Sequence, residues 1–423
     1  MENILPILVA DAPDALTELC GVNLVERLLR ILQRLGFRRA IVFSSTPEII
    51  GTELAKRSWA RAKVVADLVP LTNGALTARL ILEQTASGHF LVVPGNIYCD
   101  ARLLAALCLK DSPAALVDSN PPEFARSLIQ NLCLPTLVTK DFLSAFSPNA
   151  PLFEELKNKI SNRDIDIVDA AEEDDYIVSM RRHVRALCFP APRAQERRTA
   201  ERIILDAAQK GTLDFPAYVH APIETAIISL LCKTRITPNQ VTIAGFIIGC
   251  AATAAFALGR VGLGLLVALA FGIVDGLDGK LSRVKVETTE CGKWEHYLDY
   301  LIENSWWTAI AFHLWQSAQL PNAFYFLALL VGSHPLDEFA KRRAKITTGR
   351  LLDDLTPFDR GFRLIAARRN VYVWILAFGF LLGAFPQSYA IICSWAAVTA
   401  TVHVIRSVWL CNVPRRRVVD SRA

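Results

Sequence analysis

No CxxC pair occurs among the ten cysteines, which lie scattered along 423 residues. Neither a disulfide framework nor a zinc ribbon is indicated, and the thiols are expected to be reduced and structural. A strong charge of one sign is also missing. The excess of 46 Lys+Arg over 41 Asp+Glu leaves only +5, too slight to argue for nucleic acid, so no such partner is expected. At the amino end, MENILPILVADAPDAL carries Glu2 and Asp11 and has no basic stretch ahead of a long apolar core. It does not read as a secretory signal, and this end is expected to stay in the cytoplasm. Through residue 170 no apolar run nears the roughly 20 residues needed to cross a bilayer. What is present points elsewhere: hydrophobic residues make up 52% and mean hydropathy is +0.31, while charged residues still supply 21%. Membrane spans joined to a water-soluble part fit this balance.

From Ile4 to about Ala170, the short apolar runs ILPILVA, RAIVFSS, AKVVAD, FLVVPG, AALVDS and IDIVDA alternate with helical patterns such as NLVERLLRILQRLG. This predicts a Rossmann-like α/β domain, a parallel sheet covered by helices, over residues 1–190. A charged stretch from Glu172 to Lys210 reads as a linker helix region, and FPAYVHAPIETAIISLLCK as an amphipathic helix along a membrane surface, so that 191–235 connects two domains. Beyond TPNQVT, Val241–Leu258, Val261–Leu281, Tyr297–Trp315, Ala323–Val331 with its flanks, Val371–Phe385 and Tyr389–Leu410 predict an all-α six-helix transmembrane domain over 236–423. Charge placement agrees with that number. The segment after the fourth span holds Lys341, Arg342, Arg343, Lys345, Arg350, Arg360, Arg363, Arg368 and Arg369, whereas the loops expected on the opposite side contain a single Arg. A multi-pass protein of the cell (inner) membrane follows, with both termini on the cytoplasmic side. Arg350, Arg360 and Arg363 are also candidates to hold a phosphate.

Within the second span, FGIVDGLDGKLSR puts Asp275 and Asp278 three residues apart on one face of an apolar helix. A charge at bilayer depth costs about 2.5–3.5 kcal/mol on insertion scales, so two together imply cations, water or function. Carboxylate oxygens suit Mg²⁺ or Mn²⁺, and Gly276 and Gly279 leave room beside the backbone. In GKWEHYLDYLIEN, Glu295, Asp299 and Glu303 recur every fourth residue, with His296 beside the stripe. Two helices joined by a short loop pack antiparallel, so both acidic faces can enclose one site near the cytoplasmic surface.

These residues resemble a known signature. Asp275-x2-Asp278-Gly279-x2-Ser282-Arg283, eight residues and then Gly292 are similar to the pattern of the CDP-alcohol phosphotransferase family, and Thr237-Pro238-Asn239-Gln240-Val241-Thr242 resembles the motif opening its first span. Ser282 stands at the family's usual Ala. The family's later Asp pair falls on His296 and Tyr300 here, while the acids of this chain lie at Glu295, Asp299 and Glu303, shifted in register. The resemblance implies that Asp275, Asp278 and a later acid, Asp299 or Glu295, hold divalent ions on the diphosphate of a CDP-linked donor. It places Thr237, Pro238, Asn239, Gly279, Ser282, Arg283 and Gly292 near the CDP. A carboxylate or imidazole, Glu303, His296 or Asp299, would take the proton of the attacking alcohol as CMP leaves. A homodimer is also implied.

CGVNLVERLLRILQRLGFRRAIVFSS and LVVPGNIYCD resemble parts of sugar-phosphate nucleotidyltransferases, whose cytidylyltransferase relatives are found fused to this membrane family in enzymes making inositol-phosphate lipids. Those enzymes need a Gly-rich loop followed by a basic residue. Here the loop reads VADAPDALTEL, with no Gly, Lys or Arg but with Asp11, Asp14 and Glu18, and Asn96 stands where a metal-binding Asp is usual. This domain is expected to have lost transferase activity. For the whole chain the expectation is a membrane transferase in phospholipid synthesis, using CDP-diacylglycerol or a CDP-alcohol such as CDP-inositol. The competing classes are a transporter with an intramembrane acidic site and an inactive membrane scaffold.

Overall fold

The computed structural model describes residues 3–56, 58–71, 74–84, 87–111, 113–129, 134–211, 213–287 and 292–412, with the side chains of Trp59, of 292–296 and of 411–412 outside that description. Seven strands form the amino-terminal sheet: β1 (Ile4–Val9), β2 (Arg39–Ser44), β3 (Val65–Pro70), β4 (His89–Pro94), β5 (Ala114–Val117), β6 (Thr136–Thr139) and β7 (Asp166–Asp169). Their order is β7-β5-β6-β4-β1-β2-β3. Apolar runs such as Leu5–Leu8 are buried because helices cover both faces, as a parallel α/β sheet requires. One strand departs from expectation: β6 runs antiparallel to both β4 and β5. It is four residues long in LPTLVTK, too short for the apolar pattern to announce it.

Helix α1 (Leu24–Arg34) begins where the Asn23 side chain accepts the Glu26 N–H, and it buries Val25, Leu28, Leu29, Ile31 and Leu32 against the sheet. The stretch read as a linker is more built than its polarity suggests. Tyr176–Ile177 and Arg182–His183 make a short hairpin, and Cys188–Pro190 pairs antiparallel with Ile97–Cys99. Helix α2 (Arg197–Ala207) then leads toward the second domain.

The second domain is helical: α3 (Phe215–Leu231), α4 (Pro238–Ala257), α5 (Val261–Lys285), α6 (Gly292–Gln316), α7 (Ala323–Thr348), α8 (Pro357–Arg363), α9 (Arg369–Leu381) and α10 (Phe385–Asn412). Helix α4 starts at a capping box between Thr237 and Gln240 with Pro238 in the first turn, the reason TPNQ breaks the chain there. Helices α4, α5 and α10 are long and apolar enough to cross a membrane. The sequence predicts six spans. Helices α6 and α7 have the length but carry acidic and basic side chains, and α9 has 13 residues. Helix α3 is inverted relative to a soluble helix: His220 and Glu224 face inward, while Phe215, Tyr218, Val219 and Leu230 are exposed. Such a face suits lipid rather than water.

Packing of the bundle is centred on aromatic side chains. Trp306 of α6 is fully buried, donates to the Gly249 carbonyl of α4 at 2.9 Å, and meets the Phe271 ring of α5 edge-on. Tyr389 of α10 donates to the Trp307 carbonyl at 3.1 Å. These contacts lock α6 in rotation, which decides where its acidic stripe points.

Candidate active site

Asp275 and Asp278 stand on successive turns of α5, and Asp299 projects from α6 toward them. All three line a small cavity of about 20 Å³ with Thr242 and Phe271. The Thr242 hydroxyl donates to Asp278 at 2.7 Å, and the Gly279 N–H donates to the same carboxylate at 2.5 Å. A larger cavity of about 290 Å³ opens on the other side of Asp275 and Asp299, lined also by Asp214, Glu303, Lys341, Arg368 and Arg369. Glu303 accepts from the Trp307 indole at 3.4 Å.

Arg369, the first residue of α9, provides the counter-charge. Its guanidinium lies 2.5 Å from Asp275 and 3.9 Å from Asp299 and sits over the Phe271 ring at 4.6 Å. Its Nε is buried without a hydrogen-bond partner. Among the described residues no group of three acidic, His or Cys side chains stands close enough to hold an ion. The chemistry of the donor set nevertheless fits one: the smaller cavity offers three carboxylates and no thiol or imidazole, the ligands of a hard divalent cation.

The remaining sequence candidates separate into groups. Thr237, Pro238 and Asn239 form the amino end of α4, beside the turn that carries Thr242; the Asn239 Oδ1 is buried without a partner. Arg283 donates through Nε to the Ala208 carbonyl at 2.8 Å, which ties this end of α5 to the segment after α2. Ser282 donates to the Glu287 carbonyl, closing the helix end. A Cβ on Gly279 would meet the Arg283 guanidinium at 3.3 Å, and one on Gly276 would meet Glu224 of α3 at 2.6 Å. Gly276 thus leaves room for the Glu224 carboxylate of α3, a neighbour the sequence did not reveal. Glu295, His296 and Gly292 fall in the segment whose side chains lie outside the described residues.

The expected acceptor-phosphate residues are not brought to the larger cavity. Arg360 binds Asp354 at 2.8 Å, Arg363 binds Asp353 at 2.7 Å, and Arg350 lies over the Tyr176 ring at 5.1 Å. Asp353 and Asp354 neutralise two of these cations, which ties α8 to the amino-terminal hairpin instead. Lys341, Arg368 and Arg369 are the basic side chains that line the cavity, and the sequence had shown them only as topology charges.

The amino-terminal domain has its own cavity of about 440 Å³ past the ends of β1 and β4, lined by Asp11, Asp14, Asn96, Glu154 and Lys157. Asp11 accepts from the Ser45 N–H at 2.6 Å and from the Ser44 hydroxyl at 3.3 Å.

Comparison with known proteins adds three findings. The chain is 29% identical over 139 residues to the bifunctional IPC transferase and DIPP synthase of Thermococcus kodakarensis, covering 32% of this chain and 31% of that one. With the protein of the same name from Aquifex aeolicus it shares 25% identity over 215 residues, 50% of this chain and 47% of the other. The matched stretch thus spans less than half the length of each relative. Among solved structures, the chain is similar to the inositol-1-phosphate CTP transferase from T. maritima (13% identity, 47% of this chain and 94% of that one, TM-score 0.33) and to HddC from Yersinia pseudotuberculosis (12%, 47% and 98%, TM-score 0.33). The region holding the acidic helices matches the family model for CDP-alcohol phosphatidyltransferase over residues 235–403. Asp275, Asp278 and Arg283 lie inside the stretch that matches this family model.

Proposed function

We propose that this chain is an integral membrane transferase that moves a substituted phosphoryl group from a CDP-linked donor to an alcohol and releases CMP. The observation that supports it most is the convergence of Asp275, Asp278 and Asp299 from adjacent helices on one cavity inside the matched domain. The names of the relatives, IPC transferase and DIPP synthase, favour a CDP-alcohol such as CDP-inositol as donor over CDP-diacylglycerol.

In this reading Asp275, Asp278 and Asp299 hold Mg²⁺ or Mn²⁺, with Glu295 the alternative third acid. Such an ion, when bound, offsets charge on the diphosphate and on departing CMP. The chain's own groups do the rest. Thr242 and the Gly279 N–H fix the Asp278 carboxylate, and Arg283 with the Thr237–Asn239 turn faces the cytidine phosphate. The acceptor oxygen forms a new bond to the phosphorus as the bond to the bridging oxygen breaks, and its proton passes to Glu303 or His296. Lys341, Arg368 and Arg369 would meet a phosphate on the acceptor by exchanging the cavity acids they pair with, Asp337, Asp214 and Asp275. The six-span topology, the cytoplasmic active site, an inner-membrane location and a homodimer belong to the same proposal, as do an amino-terminal domain without CTP turnover and the division at about residues 190 and 235.

Membranes carrying the full chain, incubated with Mg²⁺ or Mn²⁺ and either CDP-inositol or CDP-diacylglycerol plus inositol phosphate, should release CMP. An absence of CMP with every pairing, or full activity in Asp275→Asn, would overturn the reading.

A further inference from the structure

Three arginines of α1 stand three and four residues apart, so Arg27, Arg30 and Arg34 share one face of that helix. That face meets the carboxyl end of α5. An α-helix leaves its last four carbonyls without intrahelical donors. Here the backbone N–H groups of Val286 and Glu287 reach the carbonyls of Arg283 and Ser282, and guanidinium groups of the other domain reach those of Val284 and Lys285 and add a donor at Ser282. Arg27 donates to the Val284 carbonyl at 2.7 Å and to the Leu19 carbonyl at 2.8 Å. Arg30 donates to the Lys285 carbonyl at 2.8 Å and to the Glu287 carboxylate at 3.1 Å, and Arg34 to the carbonyls of Ser282 at 3.3 Å and Glu287 at 3.1 Å.

Arg27 is only 1% exposed and lies over the Tyr98 ring at 5.5 Å. A charge so buried is stable only while its acceptors stay in place. Cations at a helix carboxyl end also complement its dipole. The αL residue Val286 and the apolar contacts of Leu19, Cys20 and Leu24 with Leu277, Leu281 and Val284 hold the same end. At 1.5 Å per residue, Asp278 lies only about 9 Å up the helix from Val284. Past Glu287 the chain continues into α6, which carries Asp299.

We infer that Arg27, Arg30 and Arg34 are positioning residues of the carboxyl-terminal site: the amino-terminal domain acts as a clamp that fixes the end of α5 and so the spacing between the acids of α5 and α6. This rests on the transferase reading above for its kinetic consequence but not for its structural one.

The test compares full-length protein in nanodiscs with the variants R30A/R34A, R30K/R34K and R79A, the last removing an exposed ion pair with Glu83. Three quantities are read: amide exchange over 282–287, Mn²⁺ affinity by electron paramagnetic resonance with the metal alone, and CMP release. In R30A/R34A, exchange should rise, Mn²⁺ should bind more weakly, and kcat should fall about ten- to hundredfold with little change in donor KM, as for a small misplacement of reacting groups. R30K/R34K should recover part of each, and R79A should match the parent. If R30A/R34A fails to fold, the lysine pair is compared with the parent, and the clamp requires it to fall short in exchange and Mn²⁺ binding. Parental exchange and Mn²⁺ affinity in the loosened variant would overturn the clamp. Parental protein that binds Mn²⁺ but releases no CMP would instead overturn the transferase reading and leave the clamp to be judged by the first two quantities.

Discussion

The Arg369 guanidinium joins Asp275 to Asp299, two acids on different helices, through contacts of 2.5 and 3.9 Å. It is held there by the Phe271 ring and by its place at the start of α9. Any cation entering between these acids must share them with Arg369. The arginine thus serves two ends: it limits repulsion among three carboxylates, and it presents positive charge toward the larger cavity.

Replacing Arg369 by Gln should therefore lower kcat by about 10²–10³, the usual loss when a fixed positive donor is removed from developing charge. Because the acids lose a competing cation, the Mg²⁺ concentration for half-maximal activity should fall or stay constant rather than rise. A magnesium titration of CMP release checks both; a requirement for more Mg²⁺ would show that Arg369 chiefly keeps the acids in place.

Removal of Asp275 or Asp278 as the Asn variant should abolish transfer with little loss of folding, and chelation of divalent ions should do the same reversibly. Glu303→Gln and His296→Ala then discriminate between candidate bases. The true base, once neutralised, should remove the acidic limb of the pH–rate profile, whereas the other variant should keep its shape. Measuring kcat from pH 5 to 9 in both variants decides the matter.

How far the sequence could be read depended on what each residue's type costs. Asp275 and Asp278 were legible because carboxylates in an apolar helix need a reason. The acidic stripe of α6 was legible as a stripe but not in register, since Glu295, Asp299 and Glu303 all share one face; the rotation set by Trp306 is a tertiary fact. Arg369 was hidden among basic residues that also satisfy a topology rule. Arg27 lies in a run legible only as a helical pattern, and the approach of α5 is what buries it. The strand Thr136–Thr139 was lost to its shortness.

The junction between domains should be intolerant of side chains at Gly21. Its φ is +73°, and a Cβ there would lie 1.9 Å from the Cys232 carbonyl oxygen, a backbone atom that cannot swing aside. Gly21→Ala should lower stability by about 1–3 kcal/mol, the range for backbone strain of this kind. Thermal unfolding should show this as an earlier loss of the interface around Leu19, Leu24 and Ile228, with Gly36→Ala, which has open space but a similar φ, costing less.

A second tie links the hairpin at Tyr176 to the segment before α8. The Tyr176 hydroxyl donates to Asp354, and Arg181 and Arg363 both meet Asp353. Burial, and then the Asp354 carboxylate, push the phenol up to about 12 from its usual value near 10. A folded-state pKa raised in this way gives stability that is complete below pH 10 and is lost as pH rises toward 12. Proteolysis of the hairpin should accelerate over that window, and Tyr176→Phe should be more susceptible already at pH 8 and show a weaker dependence.

The amino-terminal cavity lies past the carboxyl ends of parallel strands, where open α/β sheets take ligands, but its lining is acidic. Asp11 and Asp14 line it along with Glu154, and the 9–19 loop contains no glycine to bring N–H groups onto a triphosphate. Lys157 alone cannot offset three acids against a tetra-anionic ligand, since each unit-charge pair at 4 Å is worth about 1–4 kcal/mol at the effective dielectric of a surface cleft. The chain carrying Asp275→Asn, which silences the other site, should release no pyrophosphate from CTP and inositol phosphate with Mg²⁺. Sustained pyrophosphate release would show that the loop finds its donors elsewhere. The grip of Arg27, Arg30 and Arg34 on α5 depends on α1 and not on this cavity, so the proposed loss of CTP turnover leaves it intact.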